Sequence, residues 1–104
     1  MLNQLVVCGR IYNIQVNYDK QTILTIATPR SYKNEEREYE TDYIDFILSK
    51  GIIENVKEYC NNGDIIGVKG RVQTSIEGDK KETVLIAERV TFLTKQKEGN
   101  NEDN

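Results

Sequence analysis

Tyrosines and cations interleave at several points of this chain. Arg30, Tyr32 and Lys33 share the stretch PRSYK, Tyr43 sits in TDYIDFIL, and Lys69 and Arg71 alternate with apolar residues in GVKGRV. Arg10 follows Gly9, and Lys80 and Lys81 close the glycine-centred segment IEGDKK. Rings set among cations suit one chemistry well: an unpaired nucleobase offers a π-face for stacking, and its backbone offers phosphates to Lys and Arg. The chain has no histidine, which removes the commonest general base and metal ligand. No glycine-rich phosphate loop precedes a helix, and no serine or cysteine nucleophile has a visible partner. Glu35, Glu36, Glu38, Glu40, Asp42 and Asp45 crowd together, but their spacing matches no calcium loop and reads as a solvated segment. The expectation is a binding protein rather than an enzyme, with no metal, no cofactor and no small-molecule substrate.

Each residue singled out also has a plainer role. Tyr43 is suited to packing on a neighbouring subunit, and Lys80 and Lys81 to keeping a hairpin tip soluble. Tyr12, Tyr18 and Tyr39 read as packing or loop residues, and Tyr59 as part of a seam between helix and sheet.

The elements that must position these side chains follow from periodicity. At 104 residues the chain is one domain with room for a modest core. Its net charge of −3 announces no polyanion partner, but binding depends on where charge sits: the first third is cationic and residues 35–45 are acidic. Cys8 and Cys60 lie in apolar contexts without metal-like spacing and read as small buried hydrophobes. No apolar run approaches the roughly 20 residues of a membrane span, so no membrane partner is expected and the cytoplasm is the expected location.

Period-two alternation predicts strands over 2–16, with Gly9 at a bend or bulge, over 22–30, ended by Pro29, and over 41–48. The segment between the second and third strands, SYKNEEREYE, reads as an exposed loop or the projecting end of a hairpin. Residues 49–63 hold the one good helical pattern, with Ser49 as a cap and Gly63 as a stop. Residues 64–75 and 83–93 then form a hairpin. Three strands, a short helix and two more strands give an all-β class: the OB-fold, a five-stranded Greek-key barrel with one short α-helix between strands 3 and 4. Residues 1–94 form this domain, and 95–104 read as a short disordered acidic tail. In the fourth strand, Ile66, Val68 and Val72 are expected to fill the barrel. Gly67, Lys69, Arg71 and Gln73 then form a low, cationic outer face for phosphates or a neighbouring subunit.

With these residues in place, the chain resembles the bacterial and phage single-stranded DNA-binding (SSB) proteins. MLNQLVVCGRI resembles that family's first strand, TDYIDFILSKGIIENVKEYCNNGDIIGVKGRVQT its third strand, helix and fourth strand, and ERVTFL its last strand. The resemblance implies a non-enzymatic, usually homotetrameric protein that coats single-stranded DNA during replication, recombination and repair. It implies stacking roles for Tyr43 and Tyr32 and phosphate contacts for Arg10, Arg30, Lys33, Lys69 and Arg71. The chain departs from the pattern at Ser49 and Ile76, where the family commonly carries aromatic residues, and it has no tryptophan. Each lost stack is expected to remove on the order of 1–3 kcal/mol, which weakens binding at each site; the alternative is a binding path moved toward Tyr12, Tyr18 or Tyr39. The tail EGNNEDN is acidic but has no apolar tip, which bears on recruitment of replication or repair proteins. A second reading is therefore carried forward: an OB-fold protein-interaction module of a replication-restart or mobilisation complex, with weak or no DNA binding.

Overall fold

The computed structural model describes residues 1–17 and 19–94, so the expectations for Tyr18 and for the 95–104 tail lie outside the described residues. The elements run β1 (Leu5–Val16), β2 (Thr22–Lys33), β3 (Tyr39–Leu48), a 3₁₀ turn (Lys50–Ile52), α1 (Ile53–Tyr59), β4 (Ile65–Glu77) and β5 (Lys80–Thr94). The strands close into a barrel in the order β1-β2-β3-β5-β4. All pairings are antiparallel except β3 with β5, where Ile47 and Leu48 lie beside Ile86 and Ala87. This is the expected OB-fold, with its short helix between β3 and β4.

Alternation fills the interior. Leu24, Ile26, Phe46, Ile66 and Val68 are each 0% exposed, and burying one such side chain contributes roughly 1.5–3 kcal/mol. Val56 of α1 is buried and joins this core with Cys60, so the helix packs its single apolar stripe against the barrel. Two glycines mark where strands pass too closely for a side chain. A Cβ on Gly9 would meet the Ala27 carbonyl oxygen at 2.6 Å, and one on Gly70 would collide with the Ile86 carbonyl oxygen.

Several details differ from the sequence reading. β2 continues through Pro29 to Lys33; Pro29 sits opposite Thr41 and the register shifts between it and Lys33, an arrangement that suits a residue with no N–H to give. SYKNEEREYE is accordingly the projecting end of the β2–β3 hairpin. Ser49 makes no side-chain cap; its carbonyl accepts the Ile52 N–H at 3.1 Å and opens the 3₁₀ turn. Gly63 adopts φ 97° in the turn entering β4, after the helix has ended at Tyr59. Val72 does not fill the barrel: Gly70 takes the last inward position, and Val72 is 38% exposed where the β4–β5 hairpin projects beyond it. Cys8 is exposed rather than buried, because it faces outward opposite Gly67. Among the described residues no helix is long and apolar enough to cross a membrane.

Candidate nucleic-acid interface

The outer face of β3 carries Tyr39, Thr41, Tyr43, Asp45 and Ile47 in file, while Ile44, Phe46 and Leu48 point inward. Strand register sets the neighbours of this file. Arg10 of β1, Ala27 of β2 and Tyr43 of β3 form one cross-strand row; Asn13, Thr25 and Asp45 form the next. Tyr12 is the unpaired residue of a β-bulge between these rows, and its ring meets that of Tyr43 edge-on at a centroid distance of 4.9 Å and an interplanar angle of 64°. Both rings stay 59% exposed. Beside them runs a shallow groove lined by Gly9, Arg10, Ala27, Pro29, Thr41 and Tyr43. Arg10 Nη1 donates to the Gly63 carbonyl at 2.9 Å, which anchors the guanidinium of an otherwise exposed side chain.

Toward the tip of the β2–β3 hairpin, Lys33 Nζ stands 5.5 Å from the centroid of the Tyr39 ring, its cross-strand partner. That contact extends the aromatic and cationic file away from the barrel. Arg30 lies elsewhere. Its Nε and Nη2 donate to the two oxygens of Asp42 at 3.1 and 2.9 Å, and its Nη1 to Glu40 at 2.7 Å. Asp42 alternates with Tyr43 along β3, so Arg30 is held on the side of the hairpin away from the Tyr12–Tyr43 pair. The hydrogen bonds from Arg30 hold the Asp42 carboxyl below the usual carboxylate range, and the same contact with Asp42 raises the Arg30 pKa. Tyr32, two residues along the strand, is 65% exposed.

The remaining candidates belong to β4 and β5. Lys69 is exposed on the outer face of β4, between Val6 and Arg89, and joins none of the ion pairs among the described residues. Arg71 is engaged: its Nε donates to Glu88 at 2.9 Å and its Nη1 to the Gln73 side chain. Lys80 and Lys81 start β5 at the exposed hairpin tip, opposite Glu77 and Ile76. The structure therefore unites Arg10, Lys33 and Tyr43 on one face, sets Arg30 on the reverse of that hairpin, and spaces Lys69, Arg71, Lys80 and Lys81 along a second hairpin.

At the opposite end of the β3 file the character changes. A groove between the β1–β2 turn and the β4–β5 hairpin is lined by Asp19, Asp45 and Glu82 with Ile23, Ile47 and Leu85. Its carboxylates disfavour phosphate there. Ser49 follows β3 with its N–H bonded to the Ala87 carbonyl at 3.1 Å, and Ile76 is 70% exposed. Among the described residues no group of His, Cys, Asp or Glu is arranged to hold a metal ion. Tyr12, which the sequence reads first as a packing or loop residue, stands exposed against Tyr43. The sequence places a bend or bulge at Gly9, whereas the register shift falls between Ile11 and Asn13.

Comparison with known proteins agrees with this architecture. Residues 2–93 match the model of the single-strand binding protein family. Single-stranded DNA-binding protein B of Bacillus subtilis is 34% identical over 94 residues, covering 85% of this chain and 83% of that protein. Single-stranded DNA-binding protein 2 of Staphylococcus aureus strain COL is 33% identical, covering 89% of this chain and 74% of its own. A small single-stranded DNA-binding protein from Mycoplasma pneumoniae has the same fold, with a TM-score of 0.67, 19% identity and full coverage of both chains. The Plasmodium falciparum SSB in complex with ssDNA superposes with a TM-score of 0.64 at 21% identity, covering 89% of this chain and 96% of that one. With its barrel, its helix position and its sequence all in agreement over residues 2–93, the chain belongs to the single-strand binding protein family.

Proposed function

We propose that this protein coats single-stranded DNA without strong sequence preference, as a non-enzymatic homo-oligomer of the cytoplasm serving replication, recombination or repair. The observation that carries the reading is the row Arg10–Ala27–Tyr43: an exposed ring and an anchored cation share one face of a rigid barrel, with Lys33 and Tyr39 continuing the file. Stacking on such rings is tolerant of sequence, since every base has a π-face, and a duplex hides the faces that an unpaired strand offers. Lys69, Lys80 and Lys81 supply further cations for a strand that leaves this face.

A homo-oligomer is supported by the edge of β1. Leu5 to Gly9 pair with β4 on one side only, since pairing with β2 begins at Arg10, and Val6 there is 64% exposed. A free strand edge with apolar side chains is suited to pairing with a second copy across a twofold axis.

The alternative, an OB-fold interaction module with weak DNA binding, is favoured by one feature: Arg30 and Arg71 are both committed to carboxylates. Titration with oligo(dT), followed by tyrosine fluorescence, separates the two. Quenching that saturates supports single-strand binding through exposed tyrosines, and an unchanged signal with oligo(dT) in excess supports the interaction module.

A further inference from the structure

The bulge in β1 gives the outer face one residue more than strand alternation allows: Tyr12 continues the outward series of Val6, Cys8 and Arg10, and Asn13 follows it outward. Ile11 opposite Ile26 and Ile14 opposite Leu24 frame it, and between them Tyr12 and Asn13 are consecutive. Asn13 lies opposite Thr25, whose hydroxyl donates to Asp45 on the outer face at 2.6 Å, so Asn13 points outward beside Tyr12, which keeps the outward direction of Arg10 and has no partner on β2. β1 and β3 are separated by the width of β2, roughly 9–10 Å, yet the Tyr12 and Tyr43 centroids are 4.9 Å apart. The rings therefore converge over β2, and the residue of β2 in the Tyr43 row is Ala27, whose methyl leaves room beneath them.

The pair is not packed into this chain's own core, since both rings remain more than half exposed. Their neighbours differ in sign. Arg10 flanks the pair on one side, in the Tyr43 row, and Asp45 flanks it on the other. An anionic backbone is attracted to the first side and repelled from the second.

We propose that Tyr12 and Tyr43 form one two-ring seat for a single unpaired nucleobase, with the sugar-phosphate of that nucleotide on the Arg10 side and away from Asp45. The inference rests on the single-strand-binding reading and adds to it that Tyr12 is itself a base-contacting residue rather than packing support for Tyr43.

The test uses the full chain with labelled oligo(dT), comparing wild type with Tyr12→Phe, Tyr12→Leu, Tyr12→Ala, Tyr43→Ala and the Tyr12→Ala/Tyr43→Ala pair. Thermal melts confirm that each variant is folded, and Tyr12→Leu retains an apolar side chain should Tyr12→Ala unfold. Phe keeps the ring and should bind within about twofold of wild type, while Leu should weaken binding by about 5- to 150-fold, the usual range for one lost stack. The double variant should lose less than the product of the two single losses, because the rings act as one seat. Photo-crosslinking with an oligo carrying 5-iododeoxyuridine should label both Tyr12 and Tyr43. Wild-type affinity in Tyr12→Leu, with crosslinks on Tyr43 and none on Tyr12, would overturn the seat while leaving single-strand binding intact. A wild-type protein that does not bind oligo(dT) at all would overturn the underlying reading and the seat with it.

Discussion

Arg30 grips Asp42 through two parallel hydrogen bonds of 3.1 and 2.9 Å, on the reverse of the hairpin that presents Tyr43. A guanidinium so engaged is not available to a phosphate unless the carboxylate gives way. The sequence alone places Arg30 with Tyr32 and Lys33 in one cationic patch. The structure ties Arg30 to Asp42 and sets Lys33 against Tyr39, so the two cations of the patch part.

Asp42 should titrate below the ordinary carboxylate value of about 3.9 because Arg30 donates to its charged form. A carboxyl whose pKa is depressed by folding contributes stability that is present above its unfolded pKa and lost as pH falls through the folded one. The pair should therefore persist through mildly acidic conditions and break only in stronger acid. Carboxyl NMR of Asp42 checks this, with Arg30→Met expected to return the midpoint toward the ordinary value. A midpoint unchanged by Arg30→Met would show that the contact does not govern Asp42.

Releasing a tied cation should strengthen DNA binding where that cation can reach the strand. Glu88→Gln frees Arg71 and removes one repulsive charge, so affinity for oligo(dT) should rise at low salt and the salt dependence should steepen. The gain in slope should be about 0.7 for one added phosphate contact. Conversely, Lys69→Glu should weaken binding and flatten the slope more than Arg71→Glu, since Lys69 has no ion pair to forfeit among the described residues. Unchanged slopes in all three variants would remove β4 from the phosphate path.

The acidic groove between the β1–β2 turn and the β4–β5 hairpin leads to a related expectation. Glu82→Lys converts a repulsive wall into an attractive one beside Asp45 and Asp19, and should raise affinity several-fold at low salt, fading as salt screens the charge. No change at any salt would place the strand far from this end of the barrel.

Glycine substitutions test the barrel closure that holds the face in shape. Gly70→Ala drives a methyl into the Ile86 carbonyl oxygen, whereas Gly67→Ala meets nothing closer than the Cys8 sulfur at 3.6 Å. The first should destabilise by about 1–3 kcal/mol or more. The second should have a melting temperature close to that of wild type. Equal melting temperatures for the two variants would contradict the tight β4–β5 approach.

The barrel was legible because its strands alternate cleanly: Ile44, Phe46 and Leu48 against Tyr43, Asp45 and Ile47 fix an inside and an outside without further information. What alternation does not encode is register. Pro29 does not end β2, which runs on to Lys33 with a shift, and the register of Thr28 with Asp42 sets Arg30 on the face of Asp42, whose carboxylate it meets. Alternation in β1 already sets Tyr12 outward with Arg10, but the bulge that leaves Tyr12 unpaired and brings Asn13 outward beside it is a matter of pairing with β2. Val72 was misplaced because strand period gives the direction of a side chain but not the point at which β4 leaves the barrel.

Binding of labelled oligo(dT) across a salt series, with duplex of equal length alongside, is the measurement that bears most directly on the central claim. The expected result is tight binding to the single strand that weakens steadily with salt, little binding to the duplex, and a marked loss in Tyr43→Ala. Failure to bind oligo(dT) even at low salt, or equal affinity for single strand and duplex, would contradict it.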